Sequence, residues 1–482
     1  MEKKKQGLSV GHLTMMALGT VIGGSFFLGS AVAINAAGPS IVISYILAGI
    51  LVYFILYALS EITVASPHSG SFHTFAGKVL SPGVGFVVGW MYWTGMILSM
   101  SSEATAVSIL LSEWFPNISI LFLGSFIIIA VTLINLLGAD RLSKVASGLS
   151  AVKLLAIVSF IIIAILLILG GITKISPVGV GELKREAFAP GGIKGIAGSM
   201  LIVMFAYAGF EIIGLAASET ADPGKTIPKA IRNTVFGLVG LYVLYTLALL
   251  PLIPTSELSE KISPMVASLN RFGMGWAGSV MNLVLITAIL SASLAAMFGI
   301  GRMMRSLVDE GQAPKWLKDK TDVPYRAILF SGFSMLLALW LGMLFPRMYL
   351  FLISSSSFAL LVTYVVILGI QIKLRGIHGC PPEGKCQMPG YPYTSWITLG
   401  SMIIIILSMP FISGQGAGLV AGIVMLVIYS AAYLVMKFIR SSKVGKTAGD
   451  SMNIKAYRKK VGVEFSKELA EDNDCKDTNS TD

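Results

Sequence analysis

The chain has 482 residues, of which 55% are hydrophobic and 13% are charged, and its mean hydropathy is +0.80. A water-soluble protein of this size could not cover its surface with so few charged residues, so the composition excludes that class. The net charge of +11 is spread over many connecting segments, which argues against a nucleic-acid-binding patch. Apolar blocks of about 20 residues, long enough to cross ~30 Å of hydrocarbon, predict an integral membrane protein.

Twelve apolar blocks in chain order predict an all-α protein with twelve transmembrane helices joined by short loops. Their expected bounds are 12–37, 41–65, 84–111, 119–137, 145–171, 194–216, 233–253, 274–301, 327–345, 348–372, 394–412 and 417–437. No small-residue cleavage site follows the basic N-terminal segment 1–11, so we expect the first block to be retained as a span. Residues 438–482 are hydrophilic, and we expect them to form a disordered cytoplasmic tail.

The distribution of basic residues predicts the orientation. Most of the 36 Lys and Arg residues fall on the side of the membrane that holds the N-terminus, which the positive-inside rule assigns to the cytoplasm. We therefore expect a multi-pass protein of the cell membrane with both termini in the cytoplasm. The stretch "HGCPPEGKC" brings His378, Cys380 and Cys386 together, but a closed zinc site needs a fourth ligand, so we interpret it as a loop and expect no metal.

Two apolar spans contain an interruption at corresponding places. Gly23-Gly24-Ser25 lies inside the first span, and Ala208-Gly209 lies inside the sixth, immediately before Glu211. Interrupted segments at matching positions of two halves indicate a transporter built from inverted repeats and point to its binding site. Each break exposes amides at one helix end and carbonyls at the other, which suit the carboxylate and the ammonium of an amino acid. The alternative is that these glycines only permit close helix packing.

Several stretches make the chain resemble the bacterial amino acid transporters of the amino acid–polyamine–organocation superfamily. "GTVIGGSFFLGSAVAINAAGP" resembles the first helix of that family, "FAYAGFEIIGLAASETADPGKTIPKAI" the sixth helix with its loop, and "MPGYPYTSWITLG" the start of the eleventh. The resemblance runs over residues 8–437. It implies a LeuT-like fold with inverted five-helix repeats at 12–171 and 194–372, two peripheral helices at 394–437, and helices one and six unwound in mid-membrane. It also implies proton-coupled uptake by alternating access, without a cofactor.

The resemblance also implies a substrate site, carried over position by position. The backbone amides of the first break receive the substrate carboxylate, and these belong to Ile22, Gly23, Gly24 and Ser25. Backbone carbonyls of both breaks receive its ammonium, and these belong to Thr20, Val21, Phe205, Ala206 and Ala208. The family usually has Gly-x-Gly at the first break, whereas here Ser25 adds a Cβ atom that narrows the site.

The walls that select the substrate side chain are expected from aromatic and hydroxyl residues near the breaks. These are Phe205, Tyr207 and Phe210 on helix six, Trp93 and Met96 on helix three, and Ser291 and Ser293 on helix eight. No further acid lies where a cationic side chain would be expected, which favours a neutral and apolar amino acid.

Four ionisable residues fall within or near the spans, where a charge at the bilayer centre costs at least ~2.5–3.5 kcal/mol. Lys153 lies inside span five; by resemblance its ammonium takes the place of a sodium ion and handles the proton, and the alternative is a lysine that snorkels to the interface. Glu103, in span three, either handles a proton or is a structural, protonated carboxyl. Glu211 either holds the break open, which we favour, or titrates. Glu61, at a span end, is expected to anchor a gate or loop.

Other functions fit the pattern less well. The nearest competitor is an exchanger of amino acids or amines on the same fold, and a more distant one is an amino acid sensor without transport. A membrane enzyme would need a polar catalytic constellation at a span end, and His12, His68 and His73 do not form one. No ring-forming acid pattern indicates a channel. The expected partners are therefore an amino acid, the proton and the lipid bilayer, with the protein a monomer or weak oligomer.

Overall fold

The computed structural model describes residues 9–65, 72–137, 139–172, 175–211, 213, 220, 222–319, 323–378 and 388–444, and within these ranges it is helical without strands. Cys380, Cys386, Cys475 and most of the predicted C-terminal tail lie outside these described residues. The chain divides into two compact units, Met1–Leu426 and Val427–Asp482, and the predicted site residues all belong to the first.

Sixteen α-helices follow one another in the described ranges. They are α1 Val10–Val21, α2 Gly24–Phe27, α3 Gly29–Ala37, α4 Ile41–Ala65, α5 Phe72–Val79, α6 Pro82–Ser112, α7 Ile120–Asn135, α8 Ala139–Leu169, α9 Gly192–Ala206, α10 Pro223–Leu249, α11 Pro264–Arg271, α12 Gly275–Asp309, α13 Tyr325–Gly342, α14 Met348–His378, α15 Tyr393–Ser408 and α16 Gly416–Val444.

Most of these helices are long and apolar enough to cross a membrane. Among the described residues, nine stretches of at least 18 residues meet that criterion, and three shorter helices, α1, α7 and α9, are also apolar. Large apolar side chains point away from the protein on these helices; Phe122 and Phe126 of α7, for example, are each 65% exposed. Such an apolar outer surface fits a hydrocarbon surround, so the fold is that of a multi-pass membrane protein.

Local sequence signals explain where several helices begin. The hydroxyls of Ser9, Ser81 and Ser119 each accept a hydrogen bond from an amide in the first turn of α1, α6 and α7. At the start of α10, the carboxylate of Asp222 does the same for the amide of Lys225. Such N-caps satisfy amides that have no partner within the helix, which pins the helix ends at these residues.

Helix α6 is largely buried, and small residues let a neighbouring helix approach it closely. A Cβ atom on Gly95 would lie 2.8 Å from the Cβ of Ala359 on α14, and the Ser356 hydroxyl donates to the Gly95 carbonyl at 2.7 Å. Close backbone approach of this kind is how helices associate in lipid. This packing holds α6 and α14 together beside the interrupted helices described next.

Candidate functional site

The first interruption separates α1 from α2. Helix α1 ends at Val21, the backbones of Ile22 and Gly23 are extended (φ −76°, ψ 104° and φ −140°, ψ −161°), and α2 begins at Gly24. The Ile22 amide still donates to the Leu18 carbonyl, at 3.4 Å, so it remains part of α1. The Ile22 amide, which was predicted to bind the substrate carboxylate, is therefore already paired. Among the predicted amides, those free of the helix α1 ladder begin at Gly23.

The amide side of this break carries a carboxylate from α6. The Gly24 amide donates to both side-chain oxygens of Glu103, each at 3.0 Å, and Glu103 is buried. A Cβ atom on Gly23 would lie 2.7 Å from Glu103 Oε1, so the carboxylate can approach the backbone only because residue 23 is glycine. A negative charge is favourable here, because the first amides of a helix are unpaired and carry partial positive charge.

The carbonyl side of the same break carries an ammonium from α8. Lys153 Nζ donates to the carbonyls of Gly19 and Ile22, the latter at 3.1 Å, and the lysine is fully buried. A lysine that snorkels toward the interface would leave its ammonium in water, so this side chain does not snorkel. The carbonyls of Thr20 and Val21 lie between those bound by Lys153, and the break removes their regular helical donors.

A third helix, α14, also contributes a hydrogen-bond donor to the first break. The hydroxyl of Tyr349, on α14, donates to the Gly24 carbonyl at 3.0 Å and is buried. The break is thus held by one group each from α6, α8 and α14. Glu103 and Lys153 thus bring groups of opposite charge type to its two ends, and opposite charges attract strongly in a medium of low dielectric constant.

The second interruption follows α9, which ends at Ala206. Gly209 has φ +105°, a conformation that L-residues with a side chain rarely adopt, and its amide donates to Glu211 Oε2 at 2.8 Å. The Tyr364 hydroxyl, on α14, donates to the other oxygen of Glu211. This break, like the first, therefore carries a buried carboxylate from the chain itself.

The two interruptions lie next to each other. A Cβ atom on Gly209 would be 3.2 Å from the Thr20 carbonyl oxygen of the first break. The Thr20 carbonyl therefore faces the unwound backbone of the second break. The unwound backbones of the two breaks are therefore in contact with each other.

The remaining predicted backbone ligands of the second break are partly occupied by protein groups. The Tyr242 hydroxyl donates to the Ala206 carbonyl at 2.9 Å, and the Ala208 amide donates to the Phe205 carbonyl at 3.0 Å. Ala208 itself is half-buried, whereas Phe205 is buried. The role of the Phe205 and Ala208 carbonyls as ammonium ligands stays a prediction.

Some of the residues predicted to line the substrate site lie beside a break, and others contact more distant helices. The ring of Phe210 is fully buried and stacks on Tyr364, with 5.3 Å between ring centroids. Trp93, in contrast, stacks on Phe330 of α13 at 5.2 Å, and its indole N–H donates to the Ser331 hydroxyl. Trp93 therefore packs against α13, and its part in a substrate wall stays a prediction. Met96 is half-buried, and Ser291 and Ser293 are buried.

Glu61 forms a separate buried network at the far end of α4. Its carboxylate accepts from the guanidinium of Arg375, with the Nε–Oε2 distance 3.0 Å, from Gln371 at 2.9 Å and from the Met388 amide. The Arg375 guanidinium also lies over the ring of Tyr391, 4.3 Å from its centroid. The network joins α4, α14 and the segment before α15, which is the kind of contact expected of a loop anchor.

Three tyrosines at the breaks were missed from the sequence: Tyr242, Tyr349 and Tyr364. Each donates its hydroxyl to a carbonyl or carboxylate of one interruption. The available signal was a polar hydroxyl inside an otherwise apolar span, which in hydrocarbon needs a hydrogen-bond partner. That signal does not specify the partner, because each tyrosine bonds to a residue far away in the chain.

Comparisons with known proteins match nearly the whole chain. Residues 12–448 match the family described as amino acid permease. A γ-aminobutyric acid permease of Bacillus subtilis is 32% identical over 455 residues, which cover 92% of this chain and 95% of the relative. An uncharacterised amino acid permease of that bacterium is 31% identical, with coverage of 90% and 96%. Its probable threonine/serine transporter is 28% identical, with coverage of 89% and 95%.

Proposed function

The chain belongs to the amino acid permease family, and on that premise we propose that it imports neutral amino acids by proton-coupled alternating access. The family and its relatives are transporters and not enzymes, and amino acid transport across a membrane is the coarse function that they share. The proposal has three further parts, which are the number of spans, the class of substrate and the coupling of transport to protons. Each has its own support.

The proposed topology has twelve spans, with a LeuT-like arrangement of two inverted repeats and both termini in the cytoplasm. Its support is that each predicted span holds an apolar helix of the described residues. The short helix α1 lies in the first half of span one, and the 40-residue stretch Gly24–Thr63 covers its second half together with span two. Support for the inverted repeats comes from the contact between Gly209 and the Thr20 carbonyl. Broken helices meet in this way when two repeats of opposite orientation pack together.

The proposed substrate is a zwitterion without net charge. Its carboxylate would bind the amides of Gly24 and Ser25, and its ammonium the carbonyls of Thr20 and Val21 together with those of the second break. The relatives named for γ-aminobutyric acid and for threonine and serine support this class, because those compounds carry one amino and one carboxyl group. Buried apolar side chains beside the second break, such as Phe210, support a preference for an apolar substrate.

The observation that carries the proton coupling is the position of Lys153. Its ammonium donates to the carbonyls of Gly19 and Ile22 at the first break, while Glu103 accepts a hydrogen bond from the Gly24 amide of the same break. A proton gained or lost by either group changes which polar groups of the break are paired. Because an unpaired buried charge is costly, protonation would shift the balance between conformations of the break.

The test is uptake into proteoliposomes. A panel of labelled amino acids (alanine, serine, threonine, leucine, phenylalanine, glutamine, lysine, glutamate and γ-aminobutyric acid) would be offered with and without an inward proton gradient. We expect neutral compounds to accumulate only with the gradient, and Lys153→Ala to abolish that response. Lys194→Ala is the matched control, because Lys194 is exposed at the start of α9.

Two results would contradict the proposal. Uptake that ignores the gradient but requires amino acid preloaded inside the vesicles would identify an exchanger, and Lys153 would then hold helices together. Accumulation driven by the gradient but unchanged in Lys153→Ala would leave symport intact and remove the lysine from it.

A further inference from the structure

The carboxylate of Glu103 lies where the proposed function puts the carboxylate of the substrate. Both need the Gly24 amide, which in the structure donates to the two oxygens of Glu103 at 3.0 Å. We propose that Glu103 is a built-in occupant of the substrate's carboxylate subsite, and that a substrate carboxylate replaces it as Glu103 takes up one proton. This inference rests on the proposed function and adds to it the chemical requirement for a carboxylate.

One carboxylate already occupies the Gly24 amide. A Cβ atom on Gly23 would lie 2.7 Å from Glu103 Oε1, and one on Gly24 would lie 3.4 Å from Glu103 Oε2. The acid therefore lies directly against this part of the backbone. A second carboxylate cannot reach the Gly24 amide until Glu103 moves away.

A displaced Glu103 cannot remain ionised without a cost. It sits on a buried part of α6, and away from the amide its charge would lose its hydrogen-bond donor in a medium of low dielectric constant. Binding of one proton removes that charge, because one O–H bond forms on the carboxyl group and no other bond changes. Protonation and departure of Glu103 from the amide are therefore favoured together.

The charge of the break is the same before and after this exchange. One carboxylate leaves the amide as a neutral acid, and the carboxylate of the substrate replaces it opposite the ammonium of Lys153. The other titratable group that faces Glu103 among the described residues is Tyr349, whose hydroxyl donates to the Gly24 carbonyl. Lys153 therefore keeps a negative partner throughout, and each zwitterion that binds brings one proton with it.

The exchange predicts which compounds can bind. A carboxylate is required, since only a carboxylate can replace Glu103 at the amide, so an amine without a carboxyl group should not enter. This separates the protein from an exchanger of simple amines.

The experiment is equilibrium binding to the purified full chain in lipid nanodiscs, with labelled alanine, threonine, leucine and γ-aminobutyric acid as probes. Above the pH range in which Glu103 ionises, the affinity of wild type should decrease by up to tenfold for each pH unit. Tenfold per unit is the limit when binding is linked to the uptake of one proton. In weakly buffered solution, a pH indicator should report uptake of one proton per ligand bound. Butyrate should compete with the label, and butylamine should not.

Glu103→Gln removes the ionisable occupant and keeps its size. Its affinity should be independent of pH and at least tenfold tighter than wild type at pH 8.5, with no proton uptake. Glu113→Gln, at the exposed end of the same helix, is the matched control and should behave as wild type. If Glu103→Gln fails to fold, proton uptake by Lys153→Met decides: uptake that persists in this variant supports Glu103, and uptake that is lost assigns the proton to the lysine and overturns the inference.

The inference is overturned if wild type binds a probe with the same affinity at every pH and takes up no proton. It is also overturned if Glu103→Gln retains the proton uptake, particularly if Lys153→Met loses it, because the proton then belongs to the lysine. Failure of the proposed function gives a different result in the proteoliposome assay, where uptake of the probes would ignore the proton gradient or would not occur at all, whatever the pH dependence of binding in nanodiscs.

Discussion

Replacement of Arg375 by methionine should destabilise the protein strongly, because it leaves the charge of Glu61 buried. The side chains of Arg375 and Glu61 are 8% and 4% exposed, so water cannot replace the lost partner. Removal of one member of a buried ion pair costs about 3–5 kcal/mol. Gln371 and the Met388 amide still donate to Glu61 in the variant, so we expect a loss of about 3 kcal/mol, near the lower end.

A double-mutant cycle separates this charge effect from lost packing. Glu61→Gln together with Arg375→Met removes both charges, so the double variant should be less destabilised than the sum of the single variants, with a coupling of about 1–3 kcal/mol. Arg347→Met is the matched control. Its ion pair with Glu260, at 3.1 Å, has side chains 51% and 20% exposed, so its loss should cost less than about 1 kcal/mol.

The assay is reversible unfolding in mixed lipid–detergent micelles, with the free energy obtained from the denaturant midpoint and slope. Equal losses in Arg375→Met and Arg347→Met would refute the reasoning, since burial would then have no effect on the cost. Additive losses in the cycle would refute it as well, because the two charges would then act independently.

Two further predictions concern the second break and the predicted cytoplasmic surface. Gly209→Ala should greatly reduce uptake, because φ is +105° and the new Cβ atom would lie 3.2 Å from the Thr20 carbonyl, whereas Gly237→Ala, with 3.8 Å to its nearest neighbour, should transport normally. Equal uptake by both variants would contradict this. Burial raises the pKa of Glu310, but the hydrogen bond and charge of His73 outweigh it and hold that pKa below 4.5. The resulting stabilisation is present above the ordinary pKa of 4.5 and is lost as pH falls through the lowered pKa. The melting temperature of wild type should therefore fall more steeply than that of Glu310→Gln as the pH is lowered below 4.5, and parallel curves would remove Glu310 from this role.

Local signals in the sequence predicted much of the fold. The apolar blocks reflect the thickness of the hydrocarbon, so the approximate positions of the helices follow from composition along the chain. The first break also follows locally, because two successive glycines weaken the helix where it would otherwise continue. In the structure the helix ends at Val21, two residues before the first of those glycines.

The partners of the buried charges could not be predicted in the same way. Glu103 was recognised as costly inside a membrane, yet its contact with Gly24 spans 79 positions of the chain, and that of Arg375 with Glu61 spans 314. The resemblance assigned a role to Lys153, but the carbonyls that it binds became known only from the packing of α8 against α1. The neighbours of Trp93 could not be predicted either, because the face of α6 on which it lies directs it toward α13.

By itself, then, the sequence determined the class of protein, the helical segments and the location of both breaks. These depend on hydropathy and on the conformational freedom of glycine, which act over a few neighbouring residues. Only the tertiary structure decided that Glu103, Lys153 and Tyr349 converge on one break from three helices. A buried polar group must find a partner in hydrocarbon, but which partner it finds depends on how distant helices pack.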